Sequence, residues 1–226
     1  MDGTSIFNVE SPQNYEQKCC CVLVLDTSGS MDGEPIQELN EGLVTFQKDV
    51  MKDATALDRL EVMIVAFNSS VELVVNPSLV NNFTMPVLQA SGTTRLVDGV
   101  RAGITNIRDR KQFYRNTGQP YYRPWIILIT DGAPDSGQDV LGLAREIKEG
   151  MDKKDFHFVA IGVDKADMAM LASITHPTVP PLKLQGVNFS QFFRWLSQSM
   201  SAISSSNGGA VNLPRTDSWT EGYSTT

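Results

Sequence analysis

Cys20-Cys21-Val22-Leu23-Val24-Leu25-Asp26-Thr27-Ser28-Gly29-Ser30 is the stretch whose reading decides the fold. Six apolar residues without polar alternation read as a strand buried on both faces. The strand ends in a loop that carries one carboxylate, Asp26, and two hydroxyls, Ser28 and Ser30. Such a loop is rich in oxygen and free of nitrogen, a donor chemistry that suits hard cations such as Mg²⁺.

Similar apolar runs recur at Val22–Leu25, Val62–Phe67, Ile126–Ile129 and Phe158–Val163. Val71–Val75 follows Val62–Phe67 across Asn68-Ser69-Ser70, which predicts a hairpin and one antiparallel edge strand. Helical stripes lie between the runs. Ile36, Leu39, Leu43, Phe46 and Val50 form the first, with Asp32 as the expected cap and Pro35 in the first turn. Val97, Val100, Ile104 and Ile107 form a second, and Val140, Ala144, Ile147 and Met151 a third. A short helix is expected near Lys165–Ile174. Phe189, Phe192, Phe193, Leu196, Met200 and Ile203 form the last stripe. This alternation predicts an α/β fold: a doubly wound, mostly parallel central sheet with one antiparallel edge strand and helices on both faces.

Composition narrows the function. The 226 residues suit one large α/β domain, and 41% hydrophobic residues support a sizeable core. A net charge of −7 and the lack of a Lys/Arg run argue against nucleic acid as a partner. No apolar stretch is long enough to span a bilayer, so no membrane partner is expected. The polar start lacks the pattern of a signal peptide. Cys19, Cys20 and Cys21 are consecutive and point to alternate faces, so they are expected to be buried free thiols. These features together predict a cytoplasmic protein. The expected organisation is a polar extension over 1–17, a domain over 18–205 and a flexible tail over 206–226. Leu213-Pro214 and Trp219 stand out in that tail as apolar anchors that either dock or belong to a disordered end.

In an open α/β sheet, ligands sit beyond the carboxyl ends of the strands. Asp131 follows Ile126–Thr130 as Asp26 follows its own strand. Ser91-Gly92-Thr93-Thr94 precedes the second helical stripe and offers further hydroxyls. Gly29 and Gly132 are expected to permit tight turns that aim these donors. Asp135 is expected to be solvated and Asp139 to cap a helix. Met31 is read as either exposed beside the site or tucked beneath the loop. His157 is expected to be a satisfied core or edge residue, and His176 is given no role.

With these motifs in this order, the chain resembles the von Willebrand factor A domain over residues 18–205. Asp26-x-Ser28-x-Ser30, Thr94 and Asp131 look like that family's metal-ion-dependent adhesion site. The resemblance implies that Ser28, Ser30 and Thr94 supply hydroxyl ligands to Mg²⁺, with Mn²⁺ or Ca²⁺ as alternatives. Asp26 and Asp131 would act directly or through water. Thr94 is preferred to Thr93 because Leu96 and Val100 follow it at the family's apolar offsets; Thr93 stays the alternative. Asp26–Ile36, Phe193–Ser201 and Leu213-Pro214…Trp219 are similar to the bacterial TerY-like proteins of tellurium resistance.

That likeness implies a non-enzymatic, Mg²⁺-dependent protein-interaction module. Its partner would supply an acidic side chain or a phosphate to the metal. A protein kinase and a PP2C-type phosphatase are implied partners in a stress-response or defence system. A metal-dependent phosphohydrolase and a metal-independent scaffold are the competing classes. Ser28 stands where a haloacid-dehalogenase-like enzyme would need a second carboxylate. No Gly-x-x-x-x-Gly-Lys-[Ser/Thr] loop is present.

Overall fold

The computed structural model describes residues 12, 14–206 and 211–221. Most of the expected extension (1–11 and 13) and parts of the expected tail (207–210 and 222–226) lie outside the described residues. Six strands form one sheet: β1 (Cys19–Asp26), β2 (Leu60–Phe67), β3 (Val71–Leu79), β4 (Trp125–Thr130), β5 (His157–Gly162) and β6 (Leu182–Lys183). Their spatial order is β3-β2-β1-β4-β5-β6. All neighbours are parallel except β2 and β3, which form the expected antiparallel hairpin edge. The helices are α1 (Glu34–Val50), α2 (Ala54–Arg59), α3 (Leu96–Thr117), α4 (Val140–Asp152), α5 (Met168–Ile174) and α6 (Phe189–Ser204). No helix among the described residues is long and apolar enough to cross a membrane.

Strand alternation divides the core in two. Cys19, Cys21, Leu23 and Leu25 of β1 face α1 and α6. Cys20, Val22 and Val24 face α3, with α4 and α5 on the same side. Every residue of β1 is buried, which accounts for its unbroken apolar run. Full burial of such side chains contributes roughly 1.5–3 kcal/mol each. The three cysteines are buried free thiols, and burial pushes the Cys19 thiol up to about 12. The thiolate is the reactive form of cysteine, so these thiols are inert packing residues.

The α1 stripe is buried as read, but Asp32 does not cap the helix. A 3₁₀ turn over Gly29–Met31 ends at Asp32, whose N–H donates to Gly29 O at 3.2 Å. Gly33, with φ of 88°, then occupies the cap position, so Asp32 lies one residue too early. Sequence patterning also passed over α2 and the two-residue β6. Both are too short to show a period.

Part of the expected tail folds back. Trp219 is fully buried, with ring centroids 5.1 Å from Phe192 and 5.1 Å from Trp195. Gln185 N donates to Trp219 O at 2.8 Å, and Glu221 N donates to Lys183 O at 3.0 Å. Trp195 Nε1 donates to Pro214 O at 2.9 Å. Trp219 therefore anchors on the domain itself and covers the β6 edge.

Candidate metal centre

The strand order reverses between β1 and β4. Their connections leave to opposite faces, α1 on one and α4 on the other, and this opens a crevice at the carboxyl ends. Asp26 is the last residue of β1, and Asp131 directly follows β4. The fold thus gathers residues more than a hundred positions apart onto one rim.

Asp26 is completely buried. Its Oδ1 accepts from Ser28 N at 2.8 Å, and its Oδ2 accepts from the Thr130 hydroxyl. Burial outweighs these hydrogen bonds and raises its carboxyl to about 6. The Ser28 and Ser30 hydroxyls stand 3.1 Å apart, and Ser30 Oγ donates to Asp131 Oδ1 at 2.8 Å. Burial likewise raises the Asp131 carboxyl, assisted by the charge of Asp164 and opposed by Lys165. Neither Asp26 nor Asp131 forms an ion pair among the described residues.

Thr94 joins the same rim. A Cβ placed on Gly132 would stand 3.8 Å from Ser30 Oγ and 3.8 Å from Thr94 Oγ1. Thr93 turns elsewhere: its N–H donates to Ser69 Oγ at 2.9 Å, and its own hydroxyl meets the same oxygen at 3.4 Å. Of the two threonines, Thr94 is the one beside Ser30.

Asp135, Gln138 and Gly92 also build this rim, a role the sequence reading gave to none of them. Asp135 is not merely solvated; Thr94 N donates to its Oδ2 at 3.1 Å, and its own N–H donates to Thr94 O at 3.1 Å. Gln138 Nε2 donates to Thr94 O at 2.7 Å, and its Oε1 accepts from Val97 N at 2.8 Å. Together they clamp the threonine loop and satisfy a first-turn amide of α3. Gly92 holds a φ of +75°, and a side chain there would meet Ser69 Oγ at 2.3 Å. Gly29 and Gly132 lack that backbone conformation. Gly29 matters through proximity instead, since its N–H donates to Gly92 O at 3.0 Å. Met31 is buried beneath the loop, and Asp139 caps α4 by accepting from Gly142 N at 2.9 Å.

The donor set is two carboxylates and three hydroxyls, all oxygen. Among the described residues no three His, Cys, Asp or Glu side chains gather into a metal-binding group. That excludes a thiolate or imidazole cage there, while hydroxyl-rich coordination fits a hard divalent ion.

The fold and rim define a doubly wound α/β domain with an acidic, hydroxyl-bearing crevice at its switch point. The family model of the von Willebrand factor type A domain matches residues 21–191, and the chain belongs to that family. No curated protein matches the sequence. Among solved structures, the pilus adhesin SpaC of Lactobacillus rhamnosus GG in its open conformation is 16% identical, with a TM-score of 0.66. The match covers 85% of this chain and 31% of the adhesin. The von Willebrand factor domain of the pilus tip protein Mfa5 of Porphyromonas gingivalis is 11% identical at a TM-score of 0.56, over 88% of this chain and 99% of that domain. The ArnB paralog VWA2 of Sulfolobus acidocaldarius is 15% identical at a TM-score of 0.52, over 82% of this chain and 46% of the other. The chain thus spans about a third of the length of the SpaC adhesin. These likenesses establish the fold, and the family suggests an interaction module.

Proposed function

We propose that the chain is a non-enzymatic protein-interaction module that holds Mg²⁺ at its carboxyl-end rim. One observation carries the reading: two buried carboxylates share the switch-point crevice with three hydroxyls, and neither forms an ion pair among the described residues. Ser28, Ser30 and Thr94 would hold the ion through hydroxyls. Asp26 and Asp131 would balance its charge directly or through water. Bound there, the ion supplies an electrophilic position with few carboxylates to quench it, so an acidic side chain or a phosphate of a partner can complete it. Mn²⁺ or Ca²⁺ suit the same oxygens less specifically.

The residues around the rim keep it rigid. Thr130 and the Ser28 amide fix both oxygens of Asp26, and Asp135 with Gln138 fixes the Thr94 loop. The likeness of Asp26–Ile36 and Phe193–Ser201 to TerY-like proteins supports a stress-response or defence role. A protein kinase and a PP2C-type phosphatase are the partners that role implies.

Affinity capture with Mg²⁺ or with EDTA tests the reading. Partner recovery should require Mg²⁺ and fall in the S28A/S30A double variant, which should still unfold cooperatively. Equal recovery in EDTA would indicate a metal-free scaffold. Phosphatase turnover that survives purification and disappears in D26A would indicate an enzyme.

A further inference from the structure

The opposite pole of the sheet carries a second, unrelated cavity. It has a volume of about 310 Å³, within the range of small-molecule sites. It lies at the amino ends of β4 and β5, so the length of β4, about 17 Å, separates it from the rim. Trp125 and His157 are register neighbours on these strands, with ring centroids 5.0 Å apart. Ile203 from the end of α6 and Val211 and Leu213 from the returning tail supply apolar walls.

The polar lining is one-sided in charge. Arg123 borders the cavity, and among the described residues no carboxylate does. Its Nη2 donates to the carbonyls of Met151 (2.9 Å) and Phe156, while its Nε has no hydrogen-bond partner among the described residues. The nearest acid acting on it, Asp155, is already bridged by Lys111 and Arg108. His157 was expected to be satisfied, but no hydrogen bond to its imidazole occurs among the described residues. Burial and the Arg123 charge lower it to about 4, so the ring is neutral at pH 7. The cavity thus sets a guanidinium that is only partly hydrogen-bonded and a neutral imidazole with open ring nitrogens against apolar walls, a polar pair that an acidic group can join.

We propose that this cavity binds a small organic carboxylate with an apolar body. The acid group would pair with Arg123 and accept from His157, and the body would lie against Trp125, Ile203 and Leu213. A single positive group matches a single negative charge, which favours a carboxylate over a phosphate. The site is independent of the metal rim.

Indole-3-acetate is a suitable probe, with tryptamine as the same ring bearing the opposite charge. Titration of the full chain followed by NMR should show saturable binding of indole-3-acetate below about 1 mM. The Trp125 indole and His157 ring resonances should shift together. Tryptamine should bind at least roughly tenfold more weakly, and R123Q should lose a similar factor. Because Arg123 also ties two carbonyls, L213D provides a second test, since it adds a repelling charge from an exposed tail position. L213D should lose indole-3-acetate binding at an unchanged melting temperature. The proposal is overturned by absence of binding to the wild type. It is equally overturned by equal affinity for tryptamine, or by unchanged affinity in folded R123Q or L213D.

Discussion

Asp26 and Glu61 are both buried acids on neighbouring parallel strands, but at opposite ends. Glu61 is matched. Arg110 Nε and Nη2 meet its two oxygens at 2.7 and 2.8 Å, and the Tyr114 hydroxyl donates to it. Asp26 receives an amide and a hydroxyl but no positive charge. At Glu61 the charge is matched inside the fold, whereas at Asp26 burial makes it a cost to the fold, a cost that the proposed cation would offset.

Breaking the matched end should have the largest effect. Glu61→Ala removes the carboxylate from a buried ion pair, and loss of one partner of such a pair costs about 3–5 kcal/mol. The urea midpoint should fall accordingly, whatever the metal concentration. A small change there would mean the pair contributes little and the contrast with Asp26 is weak.

Asp26→Asn should act in the opposite direction. A carboxyl raised from 3.8 to about 6 destabilises the folded state wherever it is ionised, so at pH 7 removing the charge returns roughly 1–3 kcal/mol in metal-free protein. The amide can still accept from Ser28 N, and the Thr130 hydroxyl can turn toward Gly132 O, 3.4 Å away. The variant should melt above the metal-free wild type and show no further rise with Mg²⁺. A variant that melts lower would show that the carboxylate is structural.

The smallest expected effect concerns His157. Its depressed pKa means the unfolded chain binds more protons between about 4 and 6.5. Stability is therefore full above pH 6.5 and is lost as pH falls toward 4. Partial exposure reduces the loss to about 1 kcal/mol. Melting curves of D26N, which lacks the opposing Asp26 titration, should decline with acid more steeply than those of D26N/H157Q. Identical slopes would remove His157 from the account.

Much of this contrast was legible in the sequence at one end only. Asp26, Ser28, Ser30, Thr94 and Asp131 follow apolar runs or open a helical stripe, so their strand-end placement could be read directly. The sheet and its antiparallel edge were legible for the same reason. What supports the rim was not. Asp135 and Gln138 act through hydrogen bonds between loops, and Thr130 through one between strand ends, which no periodicity encodes. The Glu61–Arg110 pair joins a strand to a helix 49 positions away, and Glu61, just before an apolar run, announces no partner. Trp219 read equally well as anchor or loose end, because a lone tryptophan in a polar segment has no pattern. Gly33 displaced Asp32 from the cap through a backbone conformation that residue types alone do not reveal.

The most direct test is calorimetric titration of chelator-treated protein with Mg²⁺, run beside the S28A/S30A variant. The account predicts saturable uptake by the wild type, with a rise in melting temperature because the ion binds the folded form. It predicts neither in the variant. No uptake of Mg²⁺ or Mn²⁺ by the wild type, or equal uptake by the variant, would contradict it.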